Sequence, residues 1–192
     1  MQTDLQAWSQ ADADGKALYE QADYSGAISR WLDALISLEE TPSNARSRAR
    51  ALKGIALAHG RMGDVEAQLR YLERALEEHY RAPAPTLDED HRFRAECLCR
   101  LGDAYRFLEE YAGAADCFAA AAELADRIQN HDLTVECLMG WGYVAEAAGD
   151  VVSALNILNR ARDIARVCPM LSDLEVRLDR SIRDMLLAAT EL

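Results

Sequence analysis

The sequence predicts an all-α chain built of stacked helix pairs, and three observations carry that prediction. Half of the 192 residues are hydrophobic, with Ala and Leu dominant, while 28% are charged and only 7% aromatic, a balance that favours helices. Four prolines and ten glycines leave few turn signals, and an all-β chain needs many. The chain also repeats itself at a shift of 40 residues: Glu96-Cys97-Leu98 returns as Glu136-Cys137-Leu138, Gly102 as Gly142, Ala114 as Ala154 and Ala121 as Ala161. Such a period marks repeat architecture, in which a helix pair buries its apolar stripe only by stacking on its neighbours.

The elements follow in order. The first pair is expected at 4–21 and 24–40. It reads Gly15-x2-Leu18, then Ala27-x3-Trp31-x2-Ala34, and Thr3 with Gln6 fits a capping box at its start. The second pair, at 43–61 and 64–80, is the most divergent: Leu52-x2-Ile55-Ala56-x2-His59, then Gln68-x3-Leu72-x2-Ala75. The third, at 89–109 and 111–128, reads Leu98-x2-Leu101-Gly102-x2-Tyr105, then Ala114-x3-Phe118-x2-Ala121. The fourth, at 131–148 and 151–167, reads Leu138-x2-Trp141-Gly142-x2-Ala145, then Ala154-x3-Leu158-x2-Ala161. The turns at Asp23-Tyr24, Gly63-Asp64, Glu110-Tyr111 and Gly149-Asp150 fall at one register, and Asp64 and Asp150 are placed to cap the helices that follow. The widest joint, Ala82-Pro83-Ala84-Pro85-Thr86-Leu87-Asp88, reads as a loop, with Asp88 a candidate cap. A ninth helix at 172–190, with Ser172 and Glu175 as a capping box, sets Leu174, Leu178, Ile182, Met185 and Ala189 against a face of Asp173, Arg177, Arg180, Arg183 and Asp184. That is the form of a solvating cap for a repeat stack; the alternative is a dimer contact through the same helix.

The third unit resembles the tetratricopeptide-repeat (TPR) signature, with Leu98 where that signature has Trp, and the other units follow it in order. The resemblance covers roughly residues 5 to 168. Successive spacings from Ala34 to Ala75, Ala121 and Ala161 are 41, 46 and 40 residues, longer than the usual TPR period of about 34. Such long units resemble those of some bacterial regulators and polarity adaptors. The resemblance implies one TPR domain over 1–192, with units near 4–40, 43–80, 89–128 and 131–167. It implies a right-handed α-α superhelix (a TPR solenoid) of four helix pairs plus a C-terminal capping helix. In the family the first helix of each pair lines the concave face. The implied function is a non-catalytic scaffold or adaptor that binds a protein or peptide there. The alternative is a regulatory sensor module acting with a separate transcription regulator or enzyme, because the repeats begin almost at Met1 and leave no helix-turn-helix segment over.

Charge narrows the partners. A net charge of −12 and a pI of about 4.8 argue against nucleic acid, which calls for a basic surface, and against anionic membranes. The N-terminus has neither the basic nor the apolar region of a signal peptide, and no apolar run reaches the length of a membrane span. Five cysteines without a CxxC pair read as free thiols in a reducing cytoplasm. No nucleotide-binding, metalloprotease or nucleophile-elbow motif occurs. His59, His79, His91 and His131 are scattered, so neither a metal nor a cofactor is expected, nor catalysis. The chain is expected to be a monomer or a weak homodimer.

Candidate binding residues come from aligning the units. In the third, Cys99, Asp103 and Arg106 form a helical stripe beside the core positions. The same register gives Lys53, Leu57 and Gly60 in the second unit, Met139, Tyr143 and Glu146 in the fourth, and Asp12, Lys16 and Tyr19 in the first. Arg50, Glu96 and Glu136 come one turn earlier; Glu20, Arg61 and Phe107 come just beyond. The expected groove is therefore Lys16, Tyr19, Arg46, Arg50, Lys53, Leu57, Arg61, Cys99, Asp103, Arg106, Phe107, Met139, Tyr143 and Glu146. Arg46, Arg50, Lys53 and Arg61 share one helix face, which can receive an acidic peptide through charge-assisted hydrogen bonds. They can equally pair with Asp12, Glu20, Glu96 and Asp103, for about 0–1 kcal/mol each. The set does not reproduce the Lys/Asn/Arg carboxylate clamp of chaperone-binding TPR domains.

Overall fold

A computed structural model describes residues 2–83 and 88–190, and the side chains of 6–83 and 88–188. Among the described residues there are nine α-helices and no strand: α1 (Gln2–Glu20), α2 (Tyr24–Ile36), α3 (Ala45–Arg61), α4 (Val65–Tyr80), α5 (Asp88–Phe107), α6 (Tyr111–Arg127), α7 (His131–Ala147), α8 (Val151–Val167) and α9 (Ser172–Thr190). They fall into two compact units, Met1–Pro85 and Thr86–Leu192. Within each unit consecutive helices pack against one another, and α1 also touches α3 while α5 touches α7. No described helix is long and apolar enough to cross a membrane.

The helices form where the apolar periodicity puts them, with one clear difference. α2 stops at Ile36 rather than at 40. The Ser37 hydroxyl donates to the Ala34 carbonyl at 2.8 Å. The buried Arg48 guanidinium donates to the Leu35 and Leu38 carbonyls at 3.1 and 3.0 Å. A side chain from α3 thus takes carbonyls that a longer α2 would have used, which is one way a helix end is satisfied. Pro42 then opens a 3-10 turn, and α3 starts at Ala45 rather than 43.

Five of the turns share one conformation. The residue before the cap is left-handed at Ala22 (φ 61°), Gly63 (80°), Glu109 (61°), Gln129 (54°) and Gly149 (85°). The next side chain accepts from the backbone N–H three residues on: Asp23 from Gly26 at 2.9 Å, Asp64 from Ala67 at 3.0 Å, Asn130 from Leu133 at 3.2 Å and Asp150 from Ser153 at 3.0 Å. Glu110, in the same place, makes no such bond. The expected Thr3 cap lies outside the described side chains.

The core of each unit is keyed by one aromatic ring. In the first, Trp31 of α2 lies between α1 and α3, where a Cβ on Gly15 would meet its indole at 2.8 Å and one on Gly54 at 2.5 Å. In the second, Phe118 of α6 lies between α5 and α7, where a Cβ on Gly102 would approach at 2.9 Å and one on Gly140 at 2.5 Å. A large ring can fill the junction of three helices only because two of them carry no side chain there. The repeat alanines Ala27, Ala34, Ala75, Ala114, Ala121, Ala154 and Ala161 are fully buried. α9 buries Leu178, Ile182 and Met185 and joins the core of the second unit. Its Asp173, Arg177, Arg180, Arg183 and Asp184 stay exposed, as a cap requires. Ala189 lies outside the described side chains.

Candidate functional site

The second unit holds a hollow of about 380 Å³ lined by α5, α7 and α9. α5 supplies Cys99, Asp103 and Arg106; α7 supplies Asp132, Glu136, Met139, Gly140 and Tyr143; α9 supplies Leu174 and Arg177, and Phe118 lies beneath. The helical repeat explains the convergence. Cys99, Asp103 and Arg106 recur every three to four residues, as do Asp132, Glu136, Met139 and Tyr143, so each set lies along one helix face. α9 closes the side, with the Tyr143 and Ser181 hydroxyls 3.1 Å apart.

Five of the expected residues meet here: Cys99, Asp103, Arg106, Met139 and Tyr143. Cys99 and Met139 are only 1% and 7% exposed, so they form a floor rather than an open wall. The Cys99 thiol sits against that of Cys137. Their hydrogen bond and burial push the Cys99 thiol far above the ordinary range, so it stays protonated and unreactive. Above the floor the charges are interlocked. Arg100 bonds Glu136 at 2.9 Å and Asp103 at 3.1 Å, and Arg106 reaches Asp103 at 3.5 Å. Burial opposes the charge on Arg100, but Glu136, Cys99 and Asp103 outweigh it and raise its pKa. Asp132 and Arg177 line the same hollow, and among the described residues no ion pair engages either.

Phe107 and Glu146 are exposed and do not line this hollow. The sequence stripe missed Asp132, Gly140, Leu174 and Arg177. Leu174 and Arg177 come from a helix without a repeat motif to align, and Gly140 is one residue off the aligned register.

The first-unit residues of the expected set lie on α1 and α3. Lys16 pairs with Asp12 at 2.5 Å, and the buried Asp12 accepts the Trp31 indole N–H at 3.1 Å. Tyr19 packs edge-on to Tyr24 and accepts the Arg61 Nε–H at 3.1 Å. Arg46 donates to the Pro83 carbonyl at 3.3 Å. Arg50 is exposed, Lys53 and Leu57 are half-buried, and both cations have interactions of their own. Among the described residues no three metal-ligating side chains cluster.

Comparison with solved structures decides the fold. The apo form of RapI superposes with a TM-score of 0.77 at 17% identity, over 96% of this chain and 70% of that one. YrrB, described as a TPR protein with an unusual peptide-binding site, matches with a TM-score of 0.60 at 17% identity, over 85% and 71%. The fold is a TPR-type helical repeat. A Rap protein complexed with Competence and Sporulation Factor shares this TPR-type fold, with a TM-score of 0.67 at 15% identity; the match covers 96% of this chain but only 50% of that structure. No protein-family model matches the sequence, and no curated protein matches it.

Proposed function

We propose that this chain is a non-catalytic TPR scaffold that holds a segment of another protein or a peptide in the α5–α7–α9 hollow. The observation that carries this reading is the convergence of Cys99, Asp103, Arg106, Met139 and Tyr143, with Asp132 and Arg177, around one cavity on helices whose backs are fixed by Phe118. Apolar floor and charged rim are what a side-chain-reading groove needs: the floor supplies burial and the rim fixes register. The peptide-binding site named for YrrB and the factor bound to the Rap protein support the same use of the fold. The basic stripe of α3 supports an acidic partner less well, because Arg46 and Arg61 already donate within their own unit.

A second reading, a regulatory module that works with a separate regulator or enzyme, draws on the likeness to the two Rap structures. Both readings use the same groove. The test is affinity capture with the whole chain, repeated with Asp132→Arg, Arg177→Glu and Tyr143→Ala. Losing one charge-assisted contact should weaken a captured partner roughly tenfold. If every partner is retained by all three variants, the groove is not the binding site.

A further inference from the structure

The first unit carries a separate feature on the side of α2 and α4. Because α2 ends early, a hollow of about 430 Å³ opens beside its C-terminus, lined by Leu32, Leu35, Ile36, Leu38 and Tyr71 with the buried Arg48 among them, and rimmed by Glu39, Glu40 and Arg74. Ile36 projects at its edge and is 83% exposed; Leu32 is 39% exposed. An isoleucine left in water beside a largely apolar hollow is a knob next to a hole.

The rim charges are split by sign. Glu40 is held by Arg48 at 2.9 Å. The Arg74 guanidinium lies 6.0 Å over the Tyr71 ring, and among the described residues neither Arg74 nor Glu39 has an ion-pair partner. Acid thus stands at the α2 end of the hollow and base on α4. A surface with a knob, a hole and opposite charges on its two edges is complementary to itself under a two-fold rotation, the symmetry of an isologous dimer.

We propose that two copies of this chain associate weakly through this face, each Ile36 entering the partner's hollow while each Arg74 meets the partner's Glu39. Each copy offers one knob, one hollow and one pair of charges, so the dimer is concentration-dependent. Its residues all belong to the first unit and none of them lines the α5–α7–α9 groove, and the inference does not depend on the proposed function.

Sedimentation velocity on the full chain over a concentration series tests it. The native chain should show a monomer–dimer equilibrium. Ile36→Asp should weaken it by roughly tenfold or more, since each dimer buries two such side chains. Circular dichroism should be unchanged, because Ile36 is exposed. Glu39→Arg and Arg74→Glu should each weaken association, and the double variant should restore it. A chain that stays monomeric to about 1 mM overturns the proposal. So does a dimer indifferent to Ile36→Asp, or a double variant no better than the single ones.

Discussion

At the scale of single residues, the glycines facing Trp31 and Phe118 decide more than their size suggests. A Cβ on Gly140 would lie 2.5 Å from the Phe118 ring, and that ring is 1% exposed and walled in. Gly140→Ala should therefore destabilise the fold by about 1–3 kcal/mol, against the usual helical preference for alanine. Gly113 is the control: its nearest neighbour, Tyr105, is 3.6 Å away, so Gly113→Ala should be neutral or mildly stabilising. Denaturant melts of the two variants check the contrast. Arg48 belongs to the same scale. Its guanidinium ends α2 through two carbonyls and holds Glu40 and Glu78. Nothing in a sequence read by apolar periodicity marks that arginine among its neighbours. Gly102 stood out because it repeats; Gly54 and Gly140 did not, because their need arises from a ring on the preceding helix.

At the scale of elements, the turns are a shared design with uneven chemistry. Glu109 adopts a left-handed conformation that L side chains disfavour by roughly 1–2 kcal/mol, and Gly63 and Gly149 fill the equivalent place. Glu109→Gly should accordingly raise stability, by about 0.5–1 kcal/mol once the lost chain entropy of glycine is counted. Glu110→Asp should add a cap of about 0.5–1 kcal/mol, because the shorter carboxylate can reach the N–H that Asp23, Asp64 and Asp150 reach in their own turns. Thermal melts of the single variants and the pair measure both. The Asp150 cap is also pH-dependent. The Ser153 hydroxyl and then its backbone N–H hold the carboxyl below its usual range. Its contribution is thus complete above the unfolded carboxylate pKa and disappears as pH falls through the lower folded value. The stability gap between the native chain and Asp150→Ala should be constant near neutrality and close in acid. Gly-Asp turns are readable from sequence; the same backbone built on Ala22, Glu109 and Gln129 is not, because tertiary packing imposes it on residues with no preference for it.

At the scale of the whole molecule, the first unit buries an apolar cluster around Trp31 and Ile55, and the second buries one that runs from Ala95 to Met185. Unfolding followed by tryptophan fluorescence of Trp31 and of Trp141 should report a midpoint for each unit. Variants that keep a single tryptophan distinguish the two signals, and coincident curves would show one cooperative body. The helix pairs, their order and the α5 and α7 stripes were legible, since 40-residue periodicity and i, i+4 spacing are local rules. The α9 side of the groove was not, as a terminal helix obeys no repeat to align. The ring between paired glycines has one consequence for evolution. Phe118 works from beneath as a shim that sets the calibre of the α5–α7–α9 hollow, so a slimmer residue there would let α5 and α7 draw together and reshape the proposed groove without touching its charged rim.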